Sequence, residues 1–308
     1  MNLQANRSAS NIPPIPNNVP KPSVSLVICT CNRADNLKQC LDAVAKLSPS
    51  ADEVLVVDNT LGDPAARSVS ESAGVRYLVE PSPGLSRARN RAMAESACEI
   101  VAFVDDDALP QSDWLAHILA PFADSQVAAV TGETVGPGAT GQPGPSRVVS
   151  KAVPRWFEIA NFGGLGYGTN MAIRKNLRPA ATFFDVRLGR GAPIWIAEEN
   201  YAFAQLIAAG YTAVHVPAAL VVHPVKRRNI PDEATISFAY WLLLFFEFSG
   251  HRRDLISFLS RRLRRKPLTW PRDPDGPGEI MSSGWRLKLK AAIAGLALYL
   301  KTRNLRGH

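Results

Sequence analysis

Residues 99–107 have the sequence Glu-Ile-Val-Ala-Phe-Val-Asp-Asp-Asp, an apolar run that ends in three consecutive carboxylates. A buried strand cannot hold three like charges in its middle, so Asp105, Asp106 and Asp107 must lie where the strand opens into solvent. Clustered carboxylate oxygens suit a hard divalent cation such as Mg²⁺ or Mn²⁺. Without a cation the three would repel one another, and the pKa of at least one would rise. The triplet therefore indicates either a metal site or a solvated acidic turn.

Three earlier apolar runs resemble this one in length and in their content of β-branched residues. Segments with helical periodicity separate them. The predicted strands are Ser23–Cys29, Glu53–Asp58, Val75–Val79 and Ile100–Val104. The first predicted helix carries the apolar stripe Leu37, Leu41, Val44 and Leu47, and the next two occupy residues 64–73 and 85–97. This alternation predicts an α/β fold with a mostly parallel sheet and right-handed crossovers.

The ends of these predicted strands carry polar side chains. Thr30, Asp58 and the carboxylate triplet each end or follow a strand. Ligands of parallel sheets gather at the carboxyl ends of the strands, so we expect these residues to converge on one site.

The pattern changes after the fourth strand. Residues 132–146 are rich in glycine and proline, which predicts a loop beginning at Gly132. A short strand at Met171–Ile173, a helix at Glu198–Gly210 and one or two strands over Ala213–Val222 follow.

Charge is distributed unevenly over the 308 residues, whose net charge is +8. Residues 1–225 contain 18 Lys/Arg against 20 Asp/Glu, a net of −2, and residues 226–308 contain 17 against 7, a net of +10. We predict a disordered segment at 1–22, a catalytic domain at 23–225 and a basic helical extension at 226–308. The four cysteines lack the spacing of a metal or redox site, which indicates buried free thiols in a reducing, cytoplasmic compartment.

Eight motifs, in order along the chain, resemble those of the family 2 glycosyltransferases, which have the GT-A fold. The resemblance covers about residues 23–224. The motifs are SLVICTCNR (25–33), VVDN (56–59), GLSRARN (84–90), VAFVDDD (101–107), GTNMAIR (168–174), FDVRLG (184–189), Glu198-Glu199 followed by Gly210-Tyr211, and His223. Each motif is weakly specific alone, but their number and order make the match specific.

The resemblance implies that a sugar is moved from a nucleoside diphosphate to an acceptor hydroxyl, with inversion at the anomeric carbon. It also implies Mg²⁺ or Mn²⁺ as cofactor. By match to the family's DxD element, Asp107 is the direct metal ligand, and Asp105 and Asp106 serve the ribose hydroxyls or an outer coordination shell. His223 stands where some members supply a histidine to the metal, although a structural histidine is the alternative.

The same resemblance implies a nucleotide-sugar site around the first two strands. Asp58 would accept a hydrogen bond from the N3–H of the base, and Arg33 and Arg89 would face the ribose and the diphosphate. Thr30 and Asn32, in the first-strand motif, complete this predicted site. Alternatively, Asp58 is a turn residue and either arginine is a surface cation.

The predicted general base is one of two adjacent acids. Family members often have Glu-Asp ahead of a helix that ends in Gly-Tyr, and the second acid deprotonates the acceptor. The match therefore assigns this role to Glu199, with Glu198 as the second candidate. Alternatively, these acids only stabilise the helix by interacting with its dipole.

The basic extension indicates an anionic partner. An apolar, aromatic segment at 236–248 is too short to span a bilayer, and clusters of Lys and Arg follow it. This pattern favours peripheral association with the inner face of the cytoplasmic membrane, and a helical cap on the catalytic domain is the alternative. Nucleic acid is not expected as a partner, because no recognition module accompanies the charge.

Three functions remain open from the sequence. The first is a glycosyltransferase of cell-envelope polysaccharide biosynthesis that acts on a saccharide or lipid-linked acceptor. The second is a nucleotidyltransferase, which the acid pair and the absence of a Gly-rich Lys/Arg loop after the first strand disfavour. The third is a degenerate nucleotide-sugar-binding partner in an assembly, which the intact Asp triplet disfavours.

Overall fold

The computed structural model describes residues 22–139, 143–224, 230–264, 285–303 and 305. The predicted disordered segment lies outside the described residues except for Pro22. The described residues belong to two compact units. The first contains residues up to 83 together with 87–184 and 199–225, and the second contains 84–86, 185–198 and the residues from 226 onward.

The first half of the sheet is parallel. Its strands pair in the order β3-β2-β1-β4, and a helix follows each of the first three along the chain. The bounds are β1 Val24–Thr30, α1 Ala34–Val44, β2 Glu53–Asp58, α2 Pro64–Ser72, β3 Arg76–Val79, α3 Leu85–Glu95 and β4 Ile100–Asp105. Because both faces of β1 and β4 are covered, these strands are almost continuously apolar. This confirms the parallel sheet expected from the sequence.

The second half of the sheet is mixed. It continues from β4 in the order β8-β6-β9-β5, with β8 antiparallel to both its neighbours and β7 paired with β9. The bounds are β5 Leu109–Pro110, α4 Trp114–Leu119, β6 Val127–Val135, β7 Arg147–Val149, α5 Trp156–Asn161, β8 Asn170–Arg174, α6 Glu198–Ala208 and β9 Thr212–Val222.

The loop expected from Gly132 begins later, after Val135, because Gly132 lies inside β6. A Cβ at Gly132 would lie 1.9 Å from the carbonyl oxygen of Ala219 in β9. The glycine therefore permits close approach of two strands, where the sequence pattern had indicated a turn. The register between β6 and β9 also shifts next to this residue.

The second unit contains three long helices, α7 Ile230–Glu247, α8 Arg252–Arg264 and α9 Trp285–Thr302. Helices α7 and α9 pack closely: the rings of Phe246 and Tyr299 stack with centroids 5.2 Å apart, and a Cβ at Gly295 would lie 2.7 Å from the carbonyl oxygen of Thr235. The predicted helical extension is thus present. Among the described helices, none has the length and hydropathy of a transmembrane span.

Candidate active site

Three strand ends meet at one edge of the sheet. Thr30 pairs with Asp58 in the register of β1 and β2, and Cys29 pairs with Asp105 in the register of β1 and β4. These residues lie at the carboxyl ends of parallel strands, where such sheets bind their ligands. The convergence expected from the sequence is therefore present.

Asp106 points into the protein, and its side chain is fully buried. The hydroxyl of Thr30 donates to its Oδ2 over 2.7 Å, and Nη2 of Arg33 lies 3.0 Å from its Oδ1. Burial raises the pKa of Asp106 to about 6; the charges of Asp107 and Asp105 also raise it, whereas Thr30 and Arg33 lower it. In this structure Asp106 therefore holds Thr30 and Arg33 in place.

Asp105, Asp107 and His223 form a cluster of potential metal ligands. One ligand atom from each residue lies within 4.8 Å of the other two. Nε2 of His223 is 3.0 Å from Oδ1 of Asp107, whose Oδ2 accepts a hydrogen bond from Nη1 of Arg33 over 2.8 Å. The two residues selected as metal ligands from sequence are brought together, and Asp105 joins them. Two carboxylates and an imidazole form a donor set that fits a divalent cation.

Arg89 is almost completely buried, with 2% of its side chain exposed. It donates to the carbonyl oxygen of Gly168 over 3.0 Å, and its Nη2 lies 3.6 Å from Oδ1 of Asp105. The hydroxyl of Thr169 donates to the other oxygen of Asp105 over 2.7 Å. The guanidinium also lies 5.6 and 5.7 Å from the centroids of two phenylalanine rings. The contacts of Arg89 and Thr169 orient the Asp105 carboxylate from the buried side of the cluster.

Asp58 is fully buried at the end of β2. Its Oδ2 accepts hydrogen bonds from the hydroxyls of Thr60 and Tyr77 and from the backbone N–H of Asp63. Its Oδ1 has no donor among the described residues. Burial and the hydrogen bond to Asp58 both raise the pKa of Tyr77. One carboxylate oxygen is thus fixed by the protein, and the other retains its capacity to accept.

The turn after β1 has an unusual backbone. Asn32 has a φ of +54°, in the left-handed region that asparagine tolerates better than most residues. Arg33, which follows, carries the guanidinium that contacts the Asp triplet.

Cys31 in this turn is exposed, and Cys29 and Cys98 are only partly buried. The expectation of four buried thiols is therefore wrong for Cys31, because the apolar run ends before the turn.

Glu198 and Glu199 begin α6 and are both buried, with 6% and 8% of their surface exposed. Ala197, just before them, has a φ of +67°, a strained value for alanine. The carboxylate of Glu198 packs so closely against Gly189 that a Cβ there would lie 3.0 Å from it. Glu199 belongs to the same compact unit as the carboxylate cluster, whereas Glu198 belongs to the other unit.

Sequence reasoning missed two residues that support this site. Tyr77 contacts Asp58 from β3, and Thr169 contacts Asp105 from the segment just before β8. The matching motif GTNMAIR contained Thr169, so its position could have indicated a role. No signal in the sequence distinguished Tyr77 from an ordinary aromatic residue of a strand.

Comparison with known proteins identifies the family. Residues 25–176, which include β2–β4, all of β1 except Val24, and the Asp triplet, match the family model described as Glycosyl transferase family 2. Through these residues the chain belongs to glycosyl transferase family 2. This match confirms the family that the eight motifs indicated.

The curated relatives of this family 2 chain are similar to it over only part of their own length. Glycosyltransferase AglE from Haloferax volcanii is 31% identical over 119 residues, which cover 36% of this chain and 39% of AglE. Succinoglycan biosynthesis protein ExoM from Rhizobium meliloti is 26% identical over 230 residues, which cover 67% of this chain and 68% of ExoM. The chain thus spans about two fifths of the first relative and about two thirds of the second.

A solved structure shares the fold of the family 2 chain. The mannosyltransferase PcManGT from Pyrobaculum calidifontis, in complex with GDP-Man and Mn²⁺, matches with a TM-score of 0.55 and 19% identity, covering 96% of this chain and 78% of that one. At this identity the likeness concerns the fold. It confirms the α/β GT-A architecture predicted from the sequence.

Proposed function

We propose that this chain is an inverting glycosyltransferase that moves a sugar from a nucleoside-diphosphate sugar to a hydroxyl of a saccharide or lipid-linked acceptor. The observation that carries the proposal is the cluster of Asp105, Asp107 and His223, whose ligand atoms lie within 4.8 Å of one another at the strand ends of a family 2 domain. The similarity to ExoM, a succinoglycan biosynthesis protein, supports a role in polysaccharide biosynthesis. A cytoplasmic location stays a prediction.

The cluster would hold a divalent cation through Asp105, Asp107 and His223. The carboxylates suit Mg²⁺ and Mn²⁺ alike, and the imidazole nitrogen favours Mn²⁺. A bound cation supplies charge neutralisation for the departing diphosphate. The presence of GDP-Man and Mn²⁺ together in PcManGT supports this assignment.

The nucleotide would bind along the ends of β1 and β2. Oδ1 of Asp58 has no donor among the described residues, so it can accept from the N3–H of a base. Arg33, whose side chain is 43% exposed, can reach a diphosphate in addition to its contacts with Asp106 and Asp107. Arg89 faces the cluster from the buried side, so its contribution would be to orient Asp105.

Glu199 would act as general base. It would take the proton of the acceptor hydroxyl while the acceptor oxygen bonds to the anomeric carbon. The bond from that carbon to the diphosphate oxygen breaks, and its electron pair leaves with the diphosphate. Attack opposite the leaving group inverts the anomeric centre.

A panel of nucleotide sugars, incubated with the protein and Mn²⁺ or Mg²⁺, tests the proposal. We expect release of a nucleoside diphosphate that stops when EDTA is added and accelerates with the correct acceptor. Release of pyrophosphate from a nucleoside triphosphate would indicate nucleotidyl transfer instead. Donor binding without turnover on any acceptor would indicate a binding partner. Either result would overturn the proposal.

A further inference from the structure

The aromatic segment at 236–248 is buried or partly buried in its own unit except at Phe246, which is 51% exposed. Within α7 the side chains of Ala239, Tyr240, Leu243 and Leu244 are at most 2% exposed. Phe238, Trp241 and Phe245 form a stack with centroids 5.2 to 5.9 Å apart. The segment that the sequence indicated as a membrane surface is therefore largely packed inside its own unit.

Phe246 of α7 and Ile256 of α8 are exposed, but most exposed large apolar side chains of the described C-terminal residues lie on α9. Four of its large apolar side chains are 45–62% exposed, at spacings of four, three and four residues: Leu289, Ile293, Leu296 and Leu300. This spacing places them in one narrow stripe along three turns of the helix. We call these four residues the α9 stripe.

A different face of α9 makes the internal contacts. Tyr299 and Thr302 are buried, and Gly295 allows α7 to approach closely. These residues hold the helix in its unit, so the stripe is not needed for that packing. Exposed apolar side chains aligned over several turns are unusual on a protein surface and mark an interaction site.

Basic side chains accompany the stripe. Lys290, Lys301 and Arg303 are exposed on or just after α9, and Arg252 and Arg253 are exposed at the start of α8. No acidic residue occurs in the sequence of α9, and residues 226–308 carry a net charge of +10. An apolar stripe with cationic neighbours fits a surface that is apolar in its interior and anionic at its boundary.

We propose that α9 lies in the interface of an anionic lipid bilayer, with Leu289, Ile293, Leu296 and Leu300 inserted among the acyl chains and Lys290, Lys301 and Arg303 at the headgroups. The charge complementarity selects a bilayer over a second copy of the chain, because two copies would bring like-charged surfaces together. The proposal concerns a surface separate from the transfer activity and does not depend on it.

Sedimentation of the full-length protein with vesicles tests the proposal. We expect binding to phosphatidylglycerol-containing vesicles, weak binding to phosphatidylcholine vesicles, and partial release as salt rises, because only the electrostatic part is screened. Ile293→Gln with Leu296→Gln should lower the partition coefficient about tenfold or more, since two apolar side chains no longer enter the bilayer. Both positions are exposed, so the helix content by circular dichroism should not change.

A matched control places two glutamines outside the stripe. Leu61→Gln removes a leucine that is 90% exposed in the first unit, and Ala294→Gln adds a glutamine to α9 outside the stripe. This double variant should bind vesicles as the parent does. The two single stripe variants, Ile293→Gln and Leu296→Gln, give an independent reading if the double variant loses helix content.

Two results would overturn the proposal. One is a parent protein that ignores anionic vesicles at low salt. The other is a parent that is dimeric by light scattering and becomes monomeric in the stripe variant while vesicle binding is unchanged, which would assign the stripe to a second copy of the chain.

Discussion

Adjacent carboxylates of the Asp105–Asp107 triplet have different environments. Asp106 is enclosed by Thr30 and Arg33, whereas Asp107 lies beside His223 and Asp105, whose ligand atoms are close enough to share an ion. Asp105 is the last residue of β4, and the turn that follows directs Asp106 inward and leaves Asp107 beside His223. One sequence motif thus contains a structural residue and two potential ligands.

Asp107→Asn tests the metal assignment at the scale of one residue. The amide keeps the shape of the side chain but removes its charge, so we expect metal-dependent turnover to fall at least about 100-fold. Nucleotide release and Mn²⁺ titration by calorimetry measure the effect. Asp42→Asn, at an exposed position paired with Lys38 in α1, is the control and should retain activity. Near-normal turnover of Asp107→Asn at limiting metal would contradict the assignment.

Glu199→Gln tests the general base. The amide cannot accept the proton, so turnover should fall by about 10²–10⁴ while nucleotide binding persists. Glu198→Gln is the matched comparison, because it makes the same change one residue earlier. We expect it to retain more activity. If Glu198→Gln abolished turnover and Glu199→Gln did not, the two roles would have to be exchanged.

At the scale of elements, a buried ion-pair network ties α7 to the segment that precedes α6. Arg187 is 1% exposed, and its guanidinium pairs with Asp185 over 2.5 Å and with Glu247 of α7 over 3.2 Å. Burial lowers the pKa of Arg187, but the bonds and charges of the two carboxylates outweigh it and raise the pKa. The stability of the second unit therefore depends on the buried charge of Arg187, which both carboxylates compensate.

Glu247→Ala should destabilise the protein by about 1–3 kcal/mol, because it leaves the buried guanidinium with one carboxylate. Chemical denaturation, followed by circular dichroism, measures the change. Glu71→Ala is the control, since it breaks a solvent-exposed pair with Arg67 in α2, and such pairs contribute little. Equal stability of the two variants would contradict a structural role for the network.

At the scale of the whole molecule, the sequence predicted β1 to β4 and, in the second half of the sheet, β8 and β9, but it missed β5, β6 and β7. Strands β1 and β4 are buried on both faces and β2 is buried over its last four residues, so each appears in the sequence as an almost continuous apolar run. Gly132 was taken for the start of a loop because its role, the close approach of Ala219, depends on a strand almost ninety residues later. Local pattern cannot contain such information.

The candidate site, like the sheet, could be predicted from the sequence only in part. The motifs placed Asp58, Asp107 and His223 correctly at the strand ends, because strand direction alone determines which ends meet. The burial of Arg89 and the contact between Tyr77 and Asp58 were not predictable, because each depends on how side chains from distant segments fill the interior. For the same reason the apolar run of α7 was taken for an exposed surface.

The exposed thiol of Cys31 provides a reporter at the proposed nucleotide site. It lies in the turn after β1, two residues before Arg33, whereas burial raises the pKa of Cys29 to about 12 and also raises that of Cys40. A maleimide should therefore alkylate Cys31 first in a Cys98→Ser background, as mass spectrometry of the tryptic peptide would show. If nucleoside diphosphate and Mn²⁺ occupy this turn, they should slow that alkylation severalfold, and Asp58→Asn should abolish the protection. An unchanged rate at saturating nucleotide would place the base elsewhere.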